Sequence, residues 1–315
     1  MNPFFSVIIP LFNKENEIKS TLESVLSQTF QDFEVIVIDD GSTDNSKKIV
    51  EDLNNSKIKL ISTRNNGVST ARNIGIAEAK GELIAFLDAD DIWFENHLQL
   101  LSDLLIKYPN AGILATNYEI FYNKNKIVKP YFIDIPSEKW SGIVADFFKS
   151  SMINRIAWTS AIAIPKRAFA KVGNFDENIT MGAGEDTDLW IRMAIEFEVA
   201  FNNQITVRYN LSAENRISLT KTLTRSFAKL NQFGTQEIEN SSLKKYLDLY
   251  RTQYALKHKL AGDVKTFNFY KNQINLANIT WKTKTLFILP VFMLKILFFI
   301  KKYLEHKNVL FSIYD

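Results

Sequence analysis

Short apolar runs recur along the first ninety residues, each closed by a polar or glycine-containing turn. Ser6–Pro10 (SVIIP), Glu34–Asp39 (EVIVID), Ile58–Ile61 and Leu83–Asp88 (LIAFLD) are four to six residues long and rich in branched apolar side chains. That is the pattern of strands buried on both faces. Between them, Glu15–Ser27, Ser42–Leu53 and Ser69–Ala79 carry helical patterns, with Ser42 or Thr43 expected to cap the second. Such alternation predicts an α/β fold: a doubly wound, mostly parallel sheet flanked by helices, with ligands bound at the carboxyl ends of the strands. Farther on, Ala111–Tyr118, Lys126–Phe132 and Thr159–Ile164 read as strands, and Glu95–Tyr108 and Glu185–Phe197 as helices. From residue 216 the pattern is helical, over Thr220–Phe233, Ser242–Leu260 and Asp263–Asn275. The expected organisation is an α/β ligand-binding domain over 1–215 and a helical C-terminal extension over 216–315.

Composition narrows the chemistry. With 46% apolar and 23% charged residues, the 315-residue chain has ample core. It has no cysteine and three histidines (His97, His258, His306), which excludes disulfide scaffolds, thiolate-held metals, a cysteine nucleophile and a multi-histidine site. A metal would have to be held by oxygen, which favours Mg²⁺ or Mn²⁺. The N-terminus shows no basic stretch leading into an apolar signal region, so a cytosol-facing protein is expected. The net charge of +3 conceals an acidic head, with 22 basic and 29 acidic residues over 1–220, and a basic tail, with 16 and 6 over 221–315. In that tail Leu286–Ile300 (LFILPVFMLKILFFI) has thirteen apolar residues in fifteen, flanked by Lys282, Lys284, Lys301 and Lys302. As a helix it spans roughly 22 Å, too short for the ~30 Å hydrocarbon core. An interfacial helix over about 282–303, with lysines reaching lipid head groups, is the expectation, and a helix buried in the fold is the alternative. The apolar clusters in the tail argue against nucleic acid as its partner.

Three acidic clusters stand at predicted element ends. Asp39-Asp40-Gly41-Ser42 closes the second strand, where a carboxylate can accept a uracil imide N–H or a ribose hydroxyl, or simply line a solvated turn. Asp88-Ala89-Asp90-Asp91 closes the fourth, and alternate residues of an extended chain could face one cation together. Gly182-Ala183-Gly184-Glu185-Asp186 opens the helix bearing Trp190, where a carboxylate can serve as a plain helix cap or as a general base. Arg72 lies in the helix before the second cluster, after the Asn65-Asn66-Gly67 turn, and can reach a ligand there.

Four blocks in this order carry a resemblance: VIIPLFNKENEI at 7–18, VIVIDDGSTDNS at 35–46, NNGVSTARNIGIAEAKGELIAFLDADD at 65–91, and VGNFDE with GEDTDLWIRM between 172 and 193. Together they resemble the inverting family-two glycosyltransferases of GT-A fold, over about residues 4–215. The resemblance implies that Pro10, Phe12, Asn13 and Glu15 line the nucleotide pocket, that Asp40 reads the base with Asp39 beside it, and that Asn66 and Arg72 touch the donor. It implies Asp90 as metal ligand, with Asp88 nearer the ribose, Asp186 as catalytic base supported by Glu185, and Trp190 on the acceptor side. The histidine that many relatives carry after the last sheet strand is absent from Val207-Arg208-Tyr209-Asn210, leaving Asn210 or water as the expected substitute. The Gln-x-x-Arg-Trp motif of processive relatives is also absent, which points to one transfer per encounter.

The expected reaction is inverting transfer of a hexosyl or N-acetylhexosaminyl group from a nucleotide-diphosphate sugar, UDP-linked, to an acceptor hydroxyl, with Mn²⁺ or Mg²⁺ as cofactor. The expected acceptor is a lipid-linked saccharide at the inner face of the cell membrane, in surface polysaccharide or lipopolysaccharide assembly; a protein or wall polymer is the alternative. A nucleotidyltransferase would want a glycine-rich basic loop after the first strand, and Pro10–Glu17 contains neither glycine nor arginine. An inactive sugar-binding protein is disfavoured because every acidic position of the pattern is filled.

Overall fold

The computed structural model describes residues 2–136, 139–213 and 220–306, with side chains described to residue 301. The chain folds into two compact units, residues 1–219 with 226–228, and residues 220–225 with 229 onward.

The first unit is built on a ten-stranded sheet: β1 (Phe5–Leu11), β2 (Phe33–Asp39), β3 (Ile58–Ser62), β4 (Leu83–Phe86), β5 (Ile92–Trp93), β6 (Ile113–Asn123), β7 (Lys126–Val128), β8 (Ser141–Ile143), β9 (Ile162–Pro165) and β10 (Val199–Asn210). The order β3-β2-β1-β4-β9-β6-β10-β5 has β7 beside β6 and β8 beside β10. The first four of these neighbours are mutually parallel, with β1 in register Val7↔Val35 and Val7↔Ala85. Strand β9 then enters antiparallel between β4 and β6, so the sheet is mixed beyond the parallel set that the alternation predicts. Val7, Ile8, Ile9, Ile36, Val37 and Phe86 are fully buried, because helices cover both faces.

Those helices are α1 (Ile18–Leu26), α2 (Ser46–Asp52), α3 (Val68–Glu78), α4 (His97–Lys107), the one-turn α5 (Phe147–Ser150), α6 (Lys166–Val172) and α7 (Glu185–Glu196). Helix α3 lies directly on β1: a Cβ on Gly75 would come within 2.5 Å of Ile8 Cγ2. Helix α2 starts at Ser46 with Asn45 at its N-cap, four residues later than the Ser42 start that capping preference predicts. The intervening residues are held instead by the loop after β1, and Ser42 Oγ accepts the Asn13 N–H at 3.1 Å.

In the second unit, Thr220–Phe233 is not the helix expected from the sequence pattern. Short 3₁₀ turns occupy Thr222–Thr224 and Leu230–Phe233. Residues 226–228, which belong to the first unit, run beside the Thr180–Ala183 loop, where Thr180 N–H donates to Ser226 O at 3.0 Å and Ala228 N–H to Ala183 O at 3.2 Å. Tertiary pairing there overrides local propensity. Beyond the short α8 (Gly234–Glu239), α9 (Ser241–Leu260) is capped by Asn240 and stacks Tyr246, Tyr250 and Tyr254 at helical spacing, with Tyr254 against Tyr270 of α10 (Val264–Lys271). Arg251, 1% exposed, is held by Glu237 and Asp248. The apolar tail forms two helices, α11 (Trp281–Ile288) and α12 (Val291–His306), broken at Leu289-Pro290 because proline cannot donate in a helix interior. Lys259 Nζ caps the end of α11 by donating to the carbonyls of Leu286 and Phe287.

Candidate active site

The carboxyl ends of β1, β2 and β4 are tied together by side-chain hydrogen bonds, and the acidic clusters stand in those ties. After β1, Asn13 adopts φ 52° and its Oδ1 accepts the Thr43 N–H at 2.8 Å. Glu15 Oε2 accepts from the Asn45 N–H at 3.0 Å and from Asn45 Nδ2 at 2.8 Å. Asn13 and Glu15 therefore brace the loop after β2. In the same block Pro10 lies within β1 opposite Ile38, and Phe12 is 42% exposed.

Asp39 Oδ1 accepts the Ser42 N–H at 3.1 Å, closing a turn through Gly41. Gly41 has φ 77°, and a Cβ there would press on Asn65 N at 3.0 Å, so this position needs glycine twice over. Asp40 sits almost fully buried, each oxygen taking one backbone N–H: Asn66 at 2.9 Å and Gly67 at 2.8 Å. Burial raises its pKa despite those bonds, and neighbouring Asp39 adds to the rise. Asp40 thereby fixes the turn that launches α3, with Gly67 at the N-cap.

Arg72, in the second turn of α3 and 4% exposed, joins two of the acidic clusters. Its Nη2 donates to Asp88 Oδ1 at 2.8 Å and its Nη1 to Glu185 Oε1 at 3.4 Å, with the guanidinium 5.3 Å from the Phe175 ring centroid. Glu185 is buried, its Oε2 has no hydrogen-bond partner, and burial followed by the charge of Asp186 raises its pKa.

The second cluster departs from the extended arrangement that alternation suggests. Strand β4 ends at Phe86, and Asp91 N–H turns back to Asp88 O at 3.0 Å. Asp88 and Asp90 consequently meet different cations, Asp90 Oδ2 lying 2.7 Å from Lys14 Nζ. Asp91, which the motif pattern passes over, is the fully buried pin of the turn. It accepts Ser160 O–H at 2.6 Å and Asn210 N–H at 3.0 Å, while Thr21 Oγ1 donates to the carbonyls of Ala89 and Asp91. Burial and then the charges of Asp90 and Asp88 hold its pKa well above the usual carboxylate range.

Asp186 stands in the first turn of α7, after Gly182 and Gly184 in the left-handed region. Its Oδ1 accepts from Thr187 N–H at 2.6 Å and Thr187 Oγ1 at 3.2 Å, and its Oδ2 accepts from Arg155 Nη1 at 3.1 Å. Trp190 is not on the acceptor side. It is 2% exposed and packs on Phe86 and Phe175, because one turn after Asp186 the helix turns this face to the core. The aromatic surface near Asp186 comes instead from Trp158, half-exposed, stacked on Tyr118 at 5.2 Å and tilted on Tyr209 at 4.2 Å, with the Arg155 guanidinium 6.0 Å from its ring. Trp158 and Arg155 fall outside the four blocks; an aromatic and a basic residue within three positions of each other were the only signal.

Asp88 and Asp90 offer hard carboxylate oxygens, a donor chemistry that fits Mg²⁺ or Mn²⁺ completed by phosphate oxygens and water. Burial raises the pKa of Asp90, opposed by the charge of Lys14 and reinforced by that of Asp88. Among the described residues no three His, Cys, Asp or Glu are grouped to hold a metal. Asn210 does not supply the missing ligand in this arrangement, since its Oδ1 accepts from Ser212 N–H at 3.1 Å and Ser212 Oγ at 2.6 Å.

The sequence profile of Glycosyl transferase family 2 matches residues 6–178. The chain belongs to glycosyltransferase family 2. This family-2 chain is 40% identical over 124 residues to the Escherichia coli UDP-Glc:alpha-D-GlcNAc-diphosphoundecaprenol beta-1,3-glucosyltransferase WfgD, a match covering 39% of this chain and 48% of WfgD. It is 28% identical over 208 residues to an uncharacterised glycosyltransferase of Rickettsia typhi, covering 66% of this chain and 64% of the relative. The chain thus spans less than two thirds of the length of either relative. It aligns with the crystal structure of S. aureus TarS 1-349 in complex with UDP-GlcNAc at a TM-score of 0.58 and 19% identity, covering 87% of this chain and 72% of that one. A Pyrobaculum calidifontis mannosyltransferase in complex with GDP-Man and Mn²⁺ aligns at 0.53 and 15% identity, covering 88% and 71%. These likenesses identify the family-2 sheet and its helices as the GT-A fold.

Proposed function

We propose that this family-2 chain transfers a hexosyl or N-acetylhexosaminyl group from a UDP-linked sugar to an acceptor hydroxyl with inversion at the anomeric carbon. The observation that carries the reading is Arg72, whose one buried guanidinium holds Asp88 of the D-x-D turn and Glu185 beside Asp186. Donor-side and acceptor-side acids thereby belong to a single cluster.

In this reading the base lies against Asp40, whose oxygens keep acceptor capacity for an imide N–H after taking their two backbone bonds. Asp90 and Asp88 would hold Mn²⁺ or Mg²⁺, which supplies charge stabilisation to the departing diphosphate. Arg72 fixes Asp88, and Lys14 balances Asp90. Asp186 takes the proton of the acceptor hydroxyl as the new C–O bond forms on the face opposite the nucleotide. The old bond breaks with its electron pair going to the diphosphate, so no covalent enzyme intermediate forms. The partly exposed Trp158, backed by Tyr118 and Tyr209, is the aromatic side chain that would meet the acceptor sugar in this reading.

A lipid-linked acceptor at the inner membrane face is supported by the tail and by the diphosphoundecaprenol acceptor in the name of WfgD. Helix α12 buries Leu294 but exposes Phe292, Ile296 and Phe299, with Lys295 among them. No helix of the described residues is long and apolar enough to cross a membrane. An apolar helix with basic flanks fits an anionic lipid surface. The test is a panel of nucleotide sugars, scored by thermal stabilisation and by metal-dependent turnover. D186N should keep donor binding and lose about 10²–10⁴-fold in turnover. Full turnover by D186N would remove Asp186 from its role.

A further inference from the structure

In the arrangement described above three hydrogen bonds already fall on Asp186, which crowds the approach of an acceptor hydroxyl. One carboxylate oxygen already takes two hydrogen bonds from Thr187, and the other is held by Arg155 at 3.1 Å. The contact is an ion pair as well as a hydrogen bond. It occupies one of the two acceptor sites on Oδ2 that an incoming hydroxyl could use. Arg155 stays charged at any working pH, so it leaves Asp186 only for another anion. Its setting allows that exchange: the side chain is 34% exposed, and it sits on the short 151–158 loop rather than within a helix or strand. Among the described residues the charged groups facing Asp186 include Glu185 beside it on α7, Arg72 from α3, which is held by Asp88 and Glu185, and Arg155. The planar fork of arginine matches a phosphate as well as it matches a carboxylate. Beside it lies Trp158, partly exposed and packed against Tyr118 and Tyr209.

We propose that Arg155 reads a phosphate on the acceptor, within about one sugar ring of the reacting hydroxyl, and that engaging this phosphate draws the guanidinium off Asp186 and frees the base. The inference rests on the transferase reading above and deepens it. The acceptor class becomes a sugar carried directly on a phosphate or diphosphate, and an enzyme without such an acceptor keeps its base occupied. Loss of the sugar to water is thereby suppressed, since water brings no phosphate. In that side reaction water gives its proton to Asp186, its oxygen bonds to the anomeric carbon, and the nucleoside diphosphate leaves with the electron pair.

Hydrolysis of the nucleotide sugar selected by the panel tests this without knowledge of the natural acceptor. R155Q should hydrolyse the donor about tenfold or more faster than wild type, the rate equivalent of one charge-assisted hydrogen bond, with donor affinity retained. D186N in the R155Q background should abolish the gain, and R155K, which lacks the planar fork, should fall between. Methyl diphosphate at millimolar concentration should accelerate wild-type hydrolysis toward the R155Q rate and leave R155Q unchanged. Normal donor binding with R155Q hydrolysis no faster than wild type, or a wild type indifferent to methyl diphosphate, would overturn the role of Arg155 alone. Failure to bind any nucleotide sugar would overturn the transferase reading and this inference with it.

Discussion

Replacing Arg72 by Met keeps most of the packing on Phe175 and removes the one cation shared by Asp88 and Glu185. Breaking a buried ion pair by deleting one partner costs about 3–5 kcal/mol, because the remaining charge stays desolvated. Asp88 is 33% exposed and recovers water, so its share is discounted, whereas Glu185 at 7% does not. The expected loss for R72M is therefore about 3 kcal/mol at pH 8, carried mostly by Glu185. Its sign with pH follows from the direction of the Glu185 shift. A carboxyl whose pKa is raised on folding adds stability below its unfolded value near 4.5 and loses it as pH climbs through the folded value. Without Arg72 the folded value rises further, so the penalty should shrink at pH 5, by up to about 1.4 kcal/mol per pH unit over the range where only the folded state binds the proton. Urea unfolding at pH 5 and pH 8, with unchanged m-values, measures it. R72M/E185Q should regain about 1–2 kcal/mol over R72M at pH 8. Equal losses at both pH values, with no recovery in the double variant, would refute the assignment of Glu185 as the stranded charge.

Asp91 offers a second stability test: D91A leaves Ser160 O–H and Asn210 N–H without acceptors and should cost about 2–4 kcal/mol by thermal or urea unfolding. D91N can accept the Asn210 N–H and donate its amide to Ser160 Oγ, and should lose less than half as much; its deficit should narrow as pH rises, since the raised pKa of Asp91 makes the native carboxylate a growing liability. D40A frees the amides of Asn66 and Gly67 and should lower stability by about 2 kcal/mol, while calorimetry should show weaker UDP binding. UDP bound as tightly by D40A as by wild type would take Asp40 out of base recognition. For the tail, co-sedimentation with phosphatidylglycerol vesicles should retain the intact protein at low salt and release part of it at high salt. Serines at Phe292, Ile296 and Phe299 should abolish retention, and an intact protein that stays in the supernatant would refute the interfacial reading.

Much of the parallel half of the fold was legible because its strands are buried on both faces and must therefore be continuously apolar; β1 and β2 depart from the predicted runs by a single residue at their ends. The acidic clusters were legible for a related reason: charge placed directly after an apolar run has few structural excuses. What the pattern does not encode is how each charge is neutralised. The D-A-D-D run contains three aspartates, and periodicity favoured Asp88 and Asp90 on one face. The chain turns after Phe86, and the third acid goes inward to Ser160, 69 residues away in sequence. Trp190 failed the same way, since its place one turn from Asp186 puts it in reach of substrate only if that face of α7 looks outward, and Phe86 and Phe175 on neighbouring elements decide otherwise. Arg155 had no local signature beyond the nearby Trp158. A lone arginine in a serine- and asparagine-bearing loop reads as solvated, and its meaning comes wholly from the carboxylate 31 positions later that the fold sets against it. In this family-2 chain the acids can be found by looking along the sequence, but the cations paired with them, Lys14, Arg72 and Arg155, come from three different segments that only the fold brings together. Variants that exchange the cations should therefore redistribute specificity and pH dependence, while variants of the acids should mostly abolish turnover.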